Sequence, residues 1–202
     1  MIAIIDYGMG NIHSVAKALE SMGAAALVTN NPDDFKLAQK FVLPGVGAFN
    51  DAMVELERRN LVSAIHDAIK NKKIFLGICL GMQLLFEKSQ EAKNISGLCI
   101  LKGEVKKFSA KKGIKVPQIG WNQLNITSRD CPLLKDIPDK SYVYFCHSYY
   151  PQPSEKKVNA ATCNYGIDFP AVVWKDNVFG VQFHPEKSQD VGLRMLRNFV
   201  EI

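Results

Sequence analysis

At 202 residues, with 47% hydrophobic and 22% charged side chains, the chain has the size and composition of one globular domain with a substantial core. Its net charge of +5 comes from scattered lysines such as Lys70, Lys72, Lys73, Lys111 and Lys112, without the arginine and aromatic clustering of a nucleic-acid surface. No apolar run approaches the roughly 18 residues of a membrane span, and the N-terminus opens as a strand, not as a basic signal segment. The five cysteines, Cys79, Cys99, Cys131, Cys146 and Cys163, form no C-x-x-C pair; this argues against a disulfide framework or metal site and for the reducing cytoplasm.

Residues 2–6 are a continuous apolar strand, followed by the glycine turn Tyr7-Gly8-Met9-Gly10-Asn11. Ile12, Val15, Ala16, Leu19 and Met22 recur at helical spacing with Gly23 as the stop, and 25–29 is a second strand. A dinucleotide fingerprint would need a third glycine and an acidic residue after the second strand, and both are missing. The turn is instead a loop at the carboxyl edge of a sheet, with Asn11 free to make contacts. Strand 41–43 runs into Pro44-Gly45-Val46-Gly47-Ala48-Phe49, whose glycines let backbone N–H groups approach a ligand. Helical patterns cover about 51–58 and 61–71; in the second, Leu61, Ala64, Ile65, Ala68 and Ile69 form the buried stripe and His66 faces solvent.

The apolar run 74–76 is a further strand, and the alternation to this point implies a parallel sheet covered by helices on both faces. Beyond Asn94 the texture turns to strands: 97–108 and 114–126, with Lys111-Lys112-Gly113 as a turn between them, then Tyr142–His147, 158–164, 171–174 and 178–183. They are expected to form an antiparallel extension. A helix over about 188–200, bearing Val191, Leu193, Met195, Leu196, Phe199 and Val200, closes the chain, and no linker or repeat divides 1–202 into more than one domain.

The chemistry centres on Gly77-Ile78-Cys79-Leu80-Gly81-Met82-Gln83, between strand 74–76 and a segment, 80–86, expected to be two helical turns. A cysteine at a strand-to-helix turn, with a glycine two residues to either side, suits a nucleophile elbow. The helix start favours thiolate over thiol, and the N–H of Leu80 is placed to bind an oxyanion. A buried structural cysteine beside packing glycines is the plain alternative, and the other four cysteines are expected to be such small hydrophobes in or near the core. A thiolate nucleophile needs a base and the base an orienting group. His184 follows strand 178–183, and Glu186, two residues on, can fold back and fix its tautomer.

Taken together, the Cys79 elbow, Pro44-Gly45-Val46-Gly47 before it and His184-Pro185-Glu186 after it resemble the class I (triad-type) glutamine amidotransferases. Asp6-Tyr7-Gly8-Met9-Gly10-Asn11, Pro117-Gln118-Ile119-Gly120-Trp121-Asn122, His147-Ser148-Tyr149 and Gln182-Phe183-His184-Pro185-Glu186-Lys187-Ser188 narrow the resemblance to the glutaminase subunits of imidazole glycerol phosphate synthase. The resemblance implies a three-layer α/β fold and a Cys79, His184, Glu186 triad that hydrolyses glutamine without a metal or other cofactor. It implies an oxyanion hole from the backbone of Leu80 and of Val46 and Gly47. Substrate contacts would come from Gly47, Gln83, His147, Ser148 and Tyr149. The ammonia would pass to a (β/α)8 cyclase partner in a heterodimer of histidine biosynthesis, met through Asn11, Gln118, Trp121, Tyr144 and Lys187.

Two residues depart from that pattern: Gln118 stands where the family usually has His, and Cys146 where Val is usual. A paralogous glutaminase feeding a surface-sugar enzyme is therefore an alternative. So are a free cysteine γ-glutamyl hydrolase and a non-catalytic scaffold subunit, the last disfavoured by the intact triad.

Overall fold

A computed structural model describes residues 1–92, 94–110 and 114–202. The first half alternates: β1 (Ile2–Ile5), α1 (Ile12–Glu20), β2 (Ala26–Thr29), β3 (Lys40–Gly45), α2 (Phe49–Arg58), α3 (Leu61–Lys70), β4 (Ile74–Cys79), α4 (Leu80–Gln83) and β5 (Phe86–Ser89). The second half is mostly extended: β6 (Leu101–Lys107), β7 (Gln118–Gln123), β8 (Asn125–Ile126), β9 (Tyr142–His147), β10 (Tyr149–Pro153), β11 (Asn159–Asn164), β12 (Asp168–Lys175) and β13 (Val178–Val181). The helix α5 (Gln189–Glu201) ends it.

The central sheet has the order β2-β1-β3-β4-β13-β12-β11-β8. From β2 to β13 neighbours are parallel, and β12, β11 and β8 add antiparallel pairs. Strand alternation separates the two faces. Ile2, Ile4, Val42, Leu76 and Ile78 join α1 and α5 in one apolar cluster, while Ala3, Ile5, Phe41, Leu43 and Phe75 join α2 and α3 in the other. The result is the expected helix–sheet–helix stack, with β4 and β13 at its centre. Among the described residues, no helix is long and apolar enough to cross a membrane.

Four expectations need correction. The segment after Cys79 is a single helical turn, not two. Residues 80–86 are all buried and so have no solvent face, and the carbonyls of Leu84 and Leu85 accept from Leu98, Ile100 and Leu101 instead of continuing the helix. Strands β6 and β7 do not pair with each other. They lie end to end along 142–153, β6 against β10 and β7 against β9, because Phe108 is drawn into an aromatic cluster with His147, Tyr150 and Phe169; the turn expected at 111–113 lies outside the described residues. On α5, Leu193 is exposed, the buried face being Met195, Leu196, Asn198 and Phe199. Cys131 and Cys163 are buried as expected, whereas Cys99 and Cys146 are exposed.

The crossing of β3, β4 and α4 is closer than any side chain allows. A Cβ on Gly81 would sit 1.8 Å from the Leu43 carbonyl oxygen, and one on Gly77 would sit 2.5 Å from the Gly81 carbonyl oxygen. Backbone cannot yield as a side chain can. Gly23, by contrast, has φ +78° but nothing within 4 Å of an added Cβ. In urea unfolding, Gly81→Ala is therefore expected to cost ~3 kcal/mol or more, and Gly23→Ala only ~1 kcal/mol of backbone strain.

Candidate active site

Cys79 ends β4 with φ 54° and ψ −109°, a conformation that side chains rarely adopt and that costs ~1–3 kcal/mol. The strain is held by the surroundings: Gly77 and Gly81 admit the close crossing, and Gly45, opposite Cys79 in β3, leaves room for the Tyr7 hydroxyl, 2.6 Å from where its Cβ would be. That hydroxyl is buried without a partner among the described residues. Burial first, then the charge of Cys79, pushes the Tyr7 phenol above its ordinary value, so Tyr7 stands as a neutral group behind the elbow.

His184 reaches the cysteine from β13, the strand beside β4. Its backbone is fixed from both sides. His184 N–H donates to the Tyr144 carbonyl at 2.9 Å, and the Ser188 hydroxyl donates to the His184 carbonyl at 2.7 Å while accepting from Tyr144 N–H at 3.0 Å. Pro185–Lys187 form a 3-10 turn, and this turn, not a continued extended chain, brings Glu186 back onto the ring. Glu186 Oε1 lies 2.9 Å from His184 Nδ1, with the two side chains only 1% and 5% exposed. A carboxylate can only accept here, so Nδ1 carries the proton and Nε2 is left for Cys79. Burial disfavours the imidazolium, but the hydrogen bonds and charges of Cys79 and Glu186 outweigh it and raise the His184 pKa well above the ordinary range.

These groups open into a cavity of about 300 Å³ lined by Val46, Gly47, Cys79, Leu80, Gln83, Glu91, Pro117, Cys146, His147, Ser148, Tyr149, His184 and Lys187. Every expected catalytic, oxyanion and substrate residue therefore meets at one place, Glu186 lying behind His184. Gly47 has φ +100°, which a non-glycine residue would strain to adopt. Gln83 Nε2 donates to the Tyr149 carbonyl at 2.9 Å and to Gln182 Oε1 at 3.1 Å, so only its oxygen remains to accept from a ligand.

Two further residues were not found in the sequence. Glu91 lies in a stretch without periodic pattern; its Oε2 accepts from Phe49 N–H at the start of α2, where Ala48 offers no side-chain cap, and this pins the end of the Val46–Gly47 loop. Gln182 stood within a quoted motif but without a role, and its Nε2 lies 3.8 Å from Cys79 Sγ.

The expected interface residues divide. Trp121 is 45% exposed and packs edge-on against Tyr144, with ring centroids 6.0 Å apart. Ile119 and Tyr142 extend this outward face of β7 and β9, and Lys187 and the partly exposed Asn11 are also at the surface. Gln118 is the correction. It is only 2% exposed, because strand alternation turns it inward opposite His147. Burial pushes the thiols of Cys163 and Cys131 up to about 12 and about 11, as suits inert core cysteines. No cluster of three potential metal ligands occurs among the described residues.

The family model "Glutamine amidotransferase class-I" matches residues 3–202. The chain is 51% identical over 202 residues to a protein from Caldanaerobacter subterraneus subsp. tengcongensis named imidazole glycerol phosphate synthase subunit HisH, covering 100% of this chain and 98% of that one. It is 48% identical over 206 residues to the protein of the same name from Bacillus subtilis, covering 100% and 96%. A crystal structure of a glutamine amidotransferase superposes with a TM-score of 0.78 at 16% identity, covering 99% of this chain and 97% of that one. PurLQS from Thermotoga maritima gives 0.77 at 20% identity, with the same coverage, so the fold is shared even where the sequence has diverged.

His147 sets a pH limit on this architecture. Its Nδ1 lies 2.7 Å from the Tyr149 carbonyl and so carries the proton, while Nε2 is buried with no partner among the described residues. Burial, opposed by that hydrogen bond, lowers its pKa from 6.5 to about 4. The unfolded chain therefore takes up the proton first, and stability falls as the pH drops from 6.5 towards 4. His184 has the opposite sign: its contribution is complete below 6.5 and is lost as the pH rises towards its raised folded value. Between pH 7 and 5, urea unfolding of the wild type is expected to lose ~2 kcal/mol more than that of His147→Gln. Parallel pH dependence in the two proteins would contradict a neutral buried His147.

Proposed function

Because this chain belongs to the class-I glutamine amidotransferase family, we propose that it is the glutaminase subunit of an imidazole glycerol phosphate synthase, one amidotransferase domain working in the cytoplasm. The observation that carries the reading is the Cys79–His184–Glu186 line, set at the foot of a cavity large enough for a free amino acid.

The Cys79 thiolate attacks the carboxamide carbon of glutamine, and the carbonyl oxygen becomes an oxyanion. The Leu80 N–H and an N–H of the Val46–Gly47 loop receive that charge. His184, held as an imidazolium against its burial by the hydrogen bonds and charges of Cys79 and Glu186, gives its Nε2 proton to the departing nitrogen, and ammonia leaves a glutamyl thioester. Neutral His184 then takes a proton from water, hydroxide attacks the thioester, and glutamate and thiolate are released. Glu186 keeps the ring in the tautomer that both steps need. At the amino-acid end of the substrate, Gln83 Oε1 and the Glu91 carboxylate are acceptors for its ammonium, beside Gly47 and the backbone at His147, Ser148 and Tyr149. No cofactor enters this chemistry.

The ammonia acceptor is a (β/α)8 cyclase subunit seated on the exposed apolar face of β7 and β9, with Trp121 and Tyr144 as its centre and Asn11 and Lys187 at its rim. In a glutamate-release assay, Cys79→Ala is expected to abolish hydrolysis while leaving the cyclase bound. His184→Ala is expected to cost ~10⁴-fold in kcat, and Glu186→Gln ~10²-fold, since it can still accept from Nδ1. Equal losses from His184→Ala and Glu186→Gln would overturn the orienting role. Trp121→Ala is expected to weaken cyclase binding ~30-fold, measured by titration calorimetry, with hydrolysis by the free subunit unchanged.

A further inference from the structure

Gln182 is fully buried one residue beyond β13, its backbone N–H donating to the Ala171 carbonyl at 2.9 Å. Hydrogen-bond chemistry fixes the orientation of its amide. The Tyr149 carbonyl can only accept, so the Gln83 atom 2.9 Å from it is Nε2. The second hydrogen of that nitrogen goes to Gln182 at 3.1 Å, so the receiving atom is Oε1. The other end of the Gln182 amide is therefore Nε2, a donor, and it lies 3.8 Å from Cys79 Sγ. A flip of the Gln182 amide would set its nitrogen against the Gln83 nitrogen and its oxygen against the sulfur, breaking both contacts.

We propose that Gln182 is a positioning residue for the nucleophile: its amide, oriented by Tyr149 and Gln83, donates to the Cys79 sulfur and stabilises the thiolate that attacks. A hydrogen bond to a charged sulfur in a buried site is stronger than one to a neutral thiol, so the donor favours the ionised state. Tyr149 and Gln83 also line the cavity, so a ligand taken up there touches the same chain of hydrogen bonds that ends on the sulfur. The role deepens the glutaminase reading and rests on it for its consequence in turnover, though not for the effect on sulfur ionisation.

The test uses the full-length protein with Gln182→Met, which keeps the length but removes the donor, and Gln182→Glu, which places a carboxylate beside the sulfur. Two readouts need neither glutamine nor a partner: the ultraviolet thiolate absorbance at neutral pH, and the rate at which iodoacetamide alkylates Cys79. Alkylation is expected to slow about tenfold in the Met variant and about a hundredfold in the Glu variant, with thiolate absorbance falling in the same order. Turnover should fall in kcat with KM nearly unchanged. Should neither variant fold, the Gln182 side-chain amide resonance of the wild type is expected to shift on alkylation of Cys79. Folded variants with wild-type alkylation rate and absorbance would overturn the proposal, as would an unmoved amide resonance. A clear effect on alkylation in a protein that hydrolyses no glutamine would keep the Gln182 role and overturn the glutaminase reading instead.

Discussion

The strained backbone of Cys79 is the constraint on which the rest depends. A residue at φ 54° and ψ −109° in a buried turn relaxes unless its neighbours leave it nowhere to go. Here they do so through contacts that only glycine permits: Gly81 against the Leu43 carbonyl, Gly77 against the Gly81 carbonyl, and Gly45 against the Tyr7 hydroxyl. The three close approaches join β1, β3, β4 and α4 into one rigid corner. The central sheet supplies its rigidity, with β4 paired in parallel on both sides, to β3 and to β13. The α4 helix is only one turn long, so its dipole adds little at Cys79; the polar groups beside the sulfur are His184 and the buried Gln182 amide.

The second half of the chain delivers the other reactive groups to that corner and turns one strand into a partition. On β9 the side chains of Val143, Phe145 and His147 face inward, and Tyr142 and Cys146 face outward with the partly exposed Tyr144. The Tyr144 carbonyl also accepts from His184 N–H, and its N–H donates to the Ser188 hydroxyl, so the strand that presents the apolar outer face also anchors His184. A partner pressing on Trp121 and Tyr144 would act within one residue contact of the triad. This is a physical route for coupling that requires no long chain of intermediates.

The parallel core and the meeting of Cys79, His184 and Glu186 were legible because their signals are local and redundant. Glycines flanking Cys79 announce a tight turn, and His184 and Glu186 two residues apart around Pro185 announce an oriented ring. The run Leu84-Leu85-Phe86 misled because a buried apolar segment carries no period, and the carbonyls that end the helix are claimed by residues 98–101. Gln118 misled differently. It adjoins exposed positions in sequence, but β alternation sends it inward opposite His147, so its departure from the family pattern lies in the core and not on the exposed face of β7 and β9. Glu91 and the Gln83–Gln182 chain lay beyond sequence reasoning because each joins segments far apart in the chain. About half of all residues are identical to named HisH subunits over nearly the full length, which favours the HisH reading over the surface-sugar alternative.

A preformed nucleophile on one face would feed an acceptor enzyme on the adjoining one. The most direct measurement is the rate of glutamate release from glutamine by the chain alone, then with a histidine-pathway cyclase subunit, and then with that subunit and its nucleotide ligand. Slow release alone and strong stimulation by cyclase and ligand together is the predicted result. Release at one rate in all three conditions would leave the Cys79 chemistry standing and contradict the coupling of this site to that partner.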